Sequence, residues 1–242
     1  MRVFETGLRI NWRYALGEII LIVVGVSIAL AASSWYSHWQ DRQDEQIFIS
    51  SLHVDIQLAE ELTSRVRDRR LETLASLITA SEVVYGGGEQ RSLTDMECDA
   101  IALSSNFNIN LSGLPSAAEL ASTGRMAIIE DSELRQALVG MLQIKGTFPV
   151  LIYQLEANTA DLSLAFSDLI SRDTYIDPNS GEVRIRAQCE TDKMRIDQAF
   201  VNQFAVNVDQ YDVYIRDGLK IWFDQIEQIH ELVDRSLGIN HD

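Results

Sequence analysis

Basic residues are scarce in this chain. Its 242 residues include 20 Lys and Arg against 36 Asp and Glu, which gives a formal charge of −16. A chain with this excess of negative charge repels phosphate backbones, so nucleic acid is excluded as a partner. The hydrophobic fraction of 46% excludes an intrinsically disordered protein, because so apolar a chain can bury a large core.

Motifs of catalysis and metal binding are also lacking. The sequence contains no GxSxG elbow, no glycine-rich phosphate loop after a strand, no HExxH and no paired cysteines at zinc spacing. Its histidines lie far apart in the sequence, and we interpret them as surface or interface residues: His38, His53, His230 and His241. Pairs of carboxylates are expected on any acidic helical surface, so they indicate no general acid or base. We therefore predict a non-enzymatic protein with no cofactor and no metal.

One long stretch carries no formal charge. It covers 22 consecutive positions, Ile19–Gln40, and predicts a transmembrane helix over residues 14–40. Its central 22 residues, 15–36, span about 33 Å at about 1.5 Å per residue, close to the thickness of bilayer hydrocarbon. Aromatic side chains at the two ends would lie at the two headgroup layers: Trp12 and Tyr14 at one, Trp35, Tyr36 and Trp39 at the other.

The basic residues beside the span predict its orientation. Arg2, Arg9 and Arg13 precede it, whereas residues 41–45 contain one Arg among three acids. By the positive-inside rule, residues 1–13 form a cytoplasmic tail in a bacterial inner membrane. Residues 41–242 then form a periplasmic domain. The alternative is a signal peptide cut after Ala29-Leu30-Ala31, but the aromatic cluster and the helical pattern that follow favour an anchor.

Small residues recur every four positions inside the span, at Gly25, Ala29 and Ser33. Such a face would let a second helix approach closely, which favours a homo-oligomer. Small residues are also common in transmembrane helices generally, so the pattern leaves both interpretations open.

The predicted periplasmic domain, residues 41–242, has apolar residues at the spacing of helices. Apolar residues at three- and four-residue steps predict that the anchor helix runs on and stops at Gly86. Thr94 with Glu97, and Ser116 with Glu119, are capping-box patterns that predict two short helices.

Two more long helices follow in the prediction. Apolar residues over 132–169 fit a heptad template that is interrupted at Lys145 and Thr159, and Gly146 and Pro149 should kink or break that helix. A nearly unbroken apolar stripe with an eleven-residue repeat covers residues 200–233. Between them, the turn residues 177–181 flanked by β-prone runs predict a small hairpin. The predicted fold is all-α, an elongated extracytoplasmic helical bundle on a single N-terminal transmembrane helix.

Cys98 and Cys189 are the only cysteines. The predicted topology puts both outside the cytoplasm, where thiols can oxidise, so we expect them to form a disulfide. Two buried free thiols are the alternative.

The basic cluster Arg65, Arg67, Arg69 and Arg70 stands out in an acidic domain. It predicts either a docking patch for an anionic partner or cell-envelope polymer, or a solvated helix face in which Glu61 pairs with Arg65.

Two segments resemble a known family. The sequence YALGEIILIVVGVSIALAASSW, Tyr14–Trp35, followed by a charged helix with Leu52 and Asp55, resembles a widespread bacterial family of single-pass membrane proteins of unknown function. Ala118–Gly124 followed by Asp131–Arg135 is similar to that family's short helix and acidic start of a long one. The resemblance implies an anchor and a helical domain, and it implies no activity, cofactor or catalytic residue.

From these features we predict a membrane-anchored accessory protein of the bacterial cell envelope. Its partners would be the lipid bilayer and another envelope protein, or a second copy of itself. The alternative is an envelope sensory module that binds a small ligand between its helices.

Overall fold

A computed structural model describes residues 12–87, 91–107, 111, 113–176, 178 and 181–239, and for residues 13–15 it describes the helical backbone alone. The chain divides into two compact units, residues 1–48 and 49–242. The predicted all-α fold is confirmed, because helices account for nearly all regular structure and the described strands form one hairpin.

The first helix, α1, covers Trp12–Val84. It ends where the sequence predicts, as Gly86 adopts a φ of +75°, a backbone conformation that side chains other than glycine rarely adopt. In the first unit, the described apolar residues of α1 are exposed as far as Ile47, and Phe48 is buried. The sequence predicted an N-terminal helix that is long and apolar enough to span a membrane, and this prediction is confirmed.

A second helical stretch, Ser132–Ala165, is by length and composition also apolar enough to cross a membrane. Its first part, α4, covers Ser132–Asn158 and packs on the last helices of the chain. Leu134, Leu138 and Phe148 of α4 are buried, whereas Val150 and Tyr153 are exposed. Burial inside the domain therefore accounts for only one part of the apolar surface of α4.

The remaining elements of the second unit follow in chain order. Helices α2 and α3 cover Asp95–Ala102 and Pro115–Ser122, a 3₁₀ turn covers Met126–Ile128, and α4 is followed by the short α5, Leu162–Ala165. Strands β1, Ile170–Ile176, and β2, Val183–Cys189, pair antiparallel with Ile170 opposite Cys189. The chain closes with α6, Thr191–Ile196, α7, Gln198–Val213, a π-helical turn, Tyr214–Leu219, and α8, Lys220–Leu237. The predicted hairpin is confirmed; of its turn, residues 177, 179 and 180 lie outside the described part.

The final apolar stripe forms much of the core. Phe200, Phe204, Tyr211 and Trp222 are completely buried. One member of the predicted stripe, Val208, is only half-buried, and its neighbour Asn207 is buried instead. The π-helical turn adds a residue to the helical repeat, and both Tyr214 and Ile215 are buried there.

Helix α4 ends at Asn158, beside the interruption of the heptad pattern at Thr159, and the predicted continuation of the helix to residue 169 is wrong. The break at Ala160 is held by a side chain from α7: Asn207 Oδ1 accepts from the Ala160 N–H at 3.2 Å, and Asn207 Nδ2 donates to the Ala160 carbonyl at 2.8 Å. Asp161 then caps α5. Pro149 lies inside a continuous α4, so of the kink or break predicted at Gly146 and Pro149, the break is wrong. The heptad pattern is interrupted at Thr159, and the distant amide of Asn207 stabilises the break that follows.

One predicted cap is confirmed and one is wrong. Thr94 and Glu97 form a reciprocal capping box on α2. In contrast, α3 begins at Pro115, and Ser116 is its second residue. The Ser116 N–H donates to Asp55 Oδ2 on α1 at 2.8 Å. A carboxylate from another helix thus replaces the local cap.

Candidate functional site

The predicted membrane-interface aromatics are exposed on the first unit. Trp12, Trp35, Tyr36 and Trp39 are between 48% and 77% exposed, and the Tyr36 and Trp39 rings lie 6.1 Å apart. The side chain of Tyr14 lies outside the described residues. In water, this much exposed indole and phenol would be unfavourable, so the arrangement suits a lipid surface.

The small-residue face of the anchor is also exposed. Gly25, Ala29 and Ser33 are accessible, and a Cβ added at Gly25 would meet no described atom within 4 Å. A helix–helix contact through this face stays a prediction.

Cys98 and Cys189 form the predicted disulfide, with Cα atoms 5.8 Å apart. The bond joins α2 to the last residue of β2. Beside it, Asp99 Oδ1 accepts from the Ala187 N–H at 2.6 Å. Burial is the largest influence on the Asp99 carboxyl and raises its pKa. The hairpin is thus attached to α2 by a covalent bond and a hydrogen bond.

Glu97 is a buried carboxylate next to this disulfide. Its side chain contacts Arg91, with Arg91 Nη1 donating to Glu97 Oε2 at 2.7 Å, and it accepts from the Thr94 N–H at 2.8 Å. The Arg91 guanidinium lowers the pKa of Glu97 to about 2, against the opposing effect of burial. Glu97 therefore binds Arg91, in the segment before α2, as well as Thr94, the N-terminal cap of α2.

The four arginines of the basic cluster have different surroundings, and a docking role for them stays a prediction. Arg65 pairs with Glu61 at 2.9 Å on the exposed side of α1, as the solvated-face interpretation expects, and Arg69 is exposed. Arg70 points inward, where its Nη1 donates to the Asn106 carbonyl at 2.7 Å and its guanidinium lies 5.7 Å from the centre of the Tyr214 ring. Arg70 therefore has a structural role.

Arg67 borders an open groove between α1 and the end of the chain. Its guanidinium lies 5.4 Å from the centre of the Phe223 ring. We call this cavity of about 280 Å³ the Arg67 groove; its lining is Arg67, Leu71, Ile215, Arg216, Leu219, Lys220, Phe223, Asp224 and Glu227. Its floor is apolar and its rim carries both signs of charge.

A second and larger groove, of about 680 Å³, lies between α1 and α7. Leu74, Ile78, Tyr85 and Val208 give it an apolar wall, and Asp209 and Asp212 lie at its edge. The incomplete burial of Val208 is explained by this groove.

A group of histidines and carboxylates joins α1 to α8. His53 Nε2 lies 3.2 Å from Asp234 Oδ1, and His230 Nε2 lies 3.4 Å from Asp234 Oδ2. His230 Nδ1 contacts Glu60 Oε1 at 2.8 Å. Of the predicted isolated histidines, His38 is exposed on the first unit and His241 lies outside the described residues. We call His53, His230, Asp234 and Glu60 the histidine cluster.

Sequence reasoning missed the histidine cluster because its two halves come from opposite ends of the domain. A local signal was present: His230 and Asp234 are one helical turn apart beside the buried stripe, and His53 lies next to the buried Leu52.

Comparison of the chain with protein-family models, with curated proteins and with solved structures finds no match.

Proposed function

We propose that this protein is a single-pass protein of a bacterial inner membrane whose periplasmic helical domain binds another envelope protein, without catalysing a reaction. The observation that carries the binding part is the Arg67 groove, which exposes an apolar floor within a strongly acidic domain. Such a site suits an apolar side chain of a partner protein, flanked by polar residues that meet the charged rim.

Two features support the proposed topology. The basic residues lie before the apolar helix, which favours a cytoplasmic N-terminus. The Cys98–Cys189 disulfide would persist in the periplasm, because the bacterial cytoplasm keeps thiols reduced.

Cysteine labelling in intact cells tests the topology. Val183 is 72% exposed on the hairpin, so a Val183→Cys chain should react with a membrane-impermeant thiol reagent without lysis. A Phe4→Cys chain, altered on the other side of the anchor, should react only after lysis. The opposite pattern, with Val183→Cys protected until the cells are broken, would contradict the proposed orientation.

Substitution in the Arg67 groove tests partner binding. Leu71 is 44% exposed in the groove, and Leu58 is 56% exposed elsewhere on α1. Purified from native membranes in mild detergent, the unmodified chain should bring down a second envelope protein at stoichiometric level. Leu71→Glu should reduce that recovery at least tenfold because it puts a charge on the apolar floor, whereas the matched Leu58→Glu should not.

Three outcomes of that purification would change the proposal. Equal recovery with Leu71→Glu would exclude the Arg67 groove as the binding site. Recovery of the chain bound only to itself would indicate a homo-oligomer. A chain that purifies alone would count against an accessory role and favour the sensory alternative, for which the larger groove between α1 and α7 offers space for a small ligand.

A further inference from the structure

We propose that the histidine cluster binds a first-row divalent transition-metal ion, with Zn²⁺ as the ion to test. His53 lies on α1, and His230 and Asp234 lie one turn apart on α8. One ligand atom from each of these three residues lies within 4.8 Å of the other two. Imidazole nitrogens and a carboxylate oxygen are ligands that Zn²⁺ accepts, and three protein ligands plus water complete a tetrahedral site.

The separations within the cluster are close to those of coordinated pairs. Two ligands at the usual distance from zinc, arranged tetrahedrally, lie about 3.3 Å apart. His53 Nε2 and Asp234 Oδ1 are 3.2 Å apart, and His230 Nε2 and Asp234 Oδ2 are 3.4 Å apart. The two imidazole rings are inclined at 49° with centres 5.5 Å apart. All three ligand atoms lie within 4.8 Å of one another, so any pair not yet at this spacing needs to approach by at most about 1.5 Å.

Glu60 provides the outer support that a metal-binding histidine requires. It contacts His230 Nδ1 at 2.8 Å, so the tautomer with hydrogen on Nδ1 donates to Glu60 and leaves the Nε2 lone pair facing Asp234. A carboxylate that orients a ligating imidazole in this way raises its basicity and fixes its ring. A divalent cation would also balance the two negative charges of Glu60 and Asp234, which lie on either side of the His230 ring.

The histidine cluster is accessible to an ion from solvent, and the two helices that carry it have buried core residues beneath it. The side chains of His53, His230 and Asp234 are 17%, 19% and 10% exposed, which leaves room for a water as the remaining ligand. The Gln57 amide lies 3.3 Å from His53 Nε2, and because Gln57 is exposed it can turn away. Neighbouring core residues hold the two helices together beneath the cluster: Leu52, Ile56, Ile229 and Val233 are 0% exposed.

Metal binding is tested on the full-length chain, free of any histidine tag and held in detergent after treatment with a chelator. Titration with Zn²⁺ should give one ion per chain, and Co²⁺ in its place should give the intense visible absorption of a four-coordinate ion. His230→Gln or Asp234→Asn should weaken Zn²⁺ binding about a hundredfold or more, because each removes a ligand. Glu60→Gln should weaken it by about 10–100-fold while the stoichiometry stays at one.

His38→Gln is the matched control, since it removes an exposed histidine outside the cluster, and it should leave Zn²⁺ affinity unchanged. The Co²⁺ spectrum needs no substituted chain, so the test stands even if a variant fails to fold. Failure of the unmodified chain to bind either ion would overturn the proposal. Equal Zn²⁺ affinity in the His53→Gln/His230→Gln chain would overturn it too and would assign the binding to other surface groups.

Discussion

Replacing Cys98 and Cys189 together by serine is expected to lower the free energy of unfolding by about 4 to 5 kcal/mol. The bond closes a loop across 91 positions, and in the chain-entropy model a loop of this length restricts the unfolded chain by that amount. Urea unfolding of the full-length protein in detergent, followed by circular dichroism, measures the change. It should appear as a lower midpoint, because the serine chain unfolds to a less restricted ensemble.

Treatment with a thiol reductant, which breaks the disulfide, provides the control for this measurement. It should destabilise the unmodified chain to the level of the serine variant and should leave the variant itself unchanged. A loss below about 1 kcal/mol would mean that the α2–hairpin segment is held by its non-covalent contacts, such as the bond from Ala187 to Asp99, and that the entropic argument fails here.

Glu97 is expected to add about 3 kcal/mol of stability at neutral pH, and acid should remove it. Its pKa falls from 4.5 to about 2 in the folded protein, chiefly through Arg91, and each unit of pKa difference corresponds to about 1.4 kcal/mol. Because the folded pKa is the lower one, the contribution is complete above pH 4.5. It declines as the pH falls from there towards 2. The Glu97 side chain is 6% exposed but that of Arg91 is 37% exposed, so solvent screening keeps the contribution below the roughly 3 to 4 kcal/mol of the full pKa difference.

The free energies of unfolding of the Glu97→Gln chain and of the unmodified chain are compared between pH 7 and pH 3. Their difference isolates the contribution of the Glu97 carboxylate, because the other carboxylates titrate equally in both chains. The difference in the free energy of unfolding should fall from about 3 kcal/mol at pH 7 to roughly 1 kcal/mol at pH 3. Glu119→Gln, at an exposed position on α3, should change stability by less than about 0.5 kcal/mol at either pH. A Glu97→Gln difference that does not vary with pH would show that the carboxylate is not held ionised by Arg91.

Local patterns in the sequence were sufficient for the features that depend on neighbouring residues. The capping box of Thr94 and Glu97 involves four consecutive positions, and both of its hydrogen bonds form. The uncharged run predicted the exposed apolar helix, and the turn at Gly86 and the hairpin followed from conformational preferences of single residues. The pairing of Cys98 with Cys189 was predictable because no other cysteine competes for either of them.

Contacts between distant segments explain where prediction failed. The heptad pattern is interrupted at Thr159 and resumes at Leu162, which does not tell whether the helix ends. Asn207 binds both backbone groups of Ala160 and stabilises a break there. Asp55 takes the capping position that local sequence assigns to Ser116. Within one basic cluster, Arg65 faces solvent and Arg70 binds the Asn106 carbonyl. In each case a hydrogen-bonding group on another element satisfies the backbone or side chain, and spacing along the chain carries no information about it.

By itself, the sequence determined an all-helical protein with an apolar N-terminal helix, an acidic domain and a single cysteine pair, because burial periodicity, charge and residue type are local properties. Only the tertiary structure decided that the Arg67 groove opens between α1 and α8 and that His53 meets His230 and Asp234. Packing the first helix of the domain against the last brings those groups within bonding distance, and that proximity depends on the folded core rather than on separation along the chain.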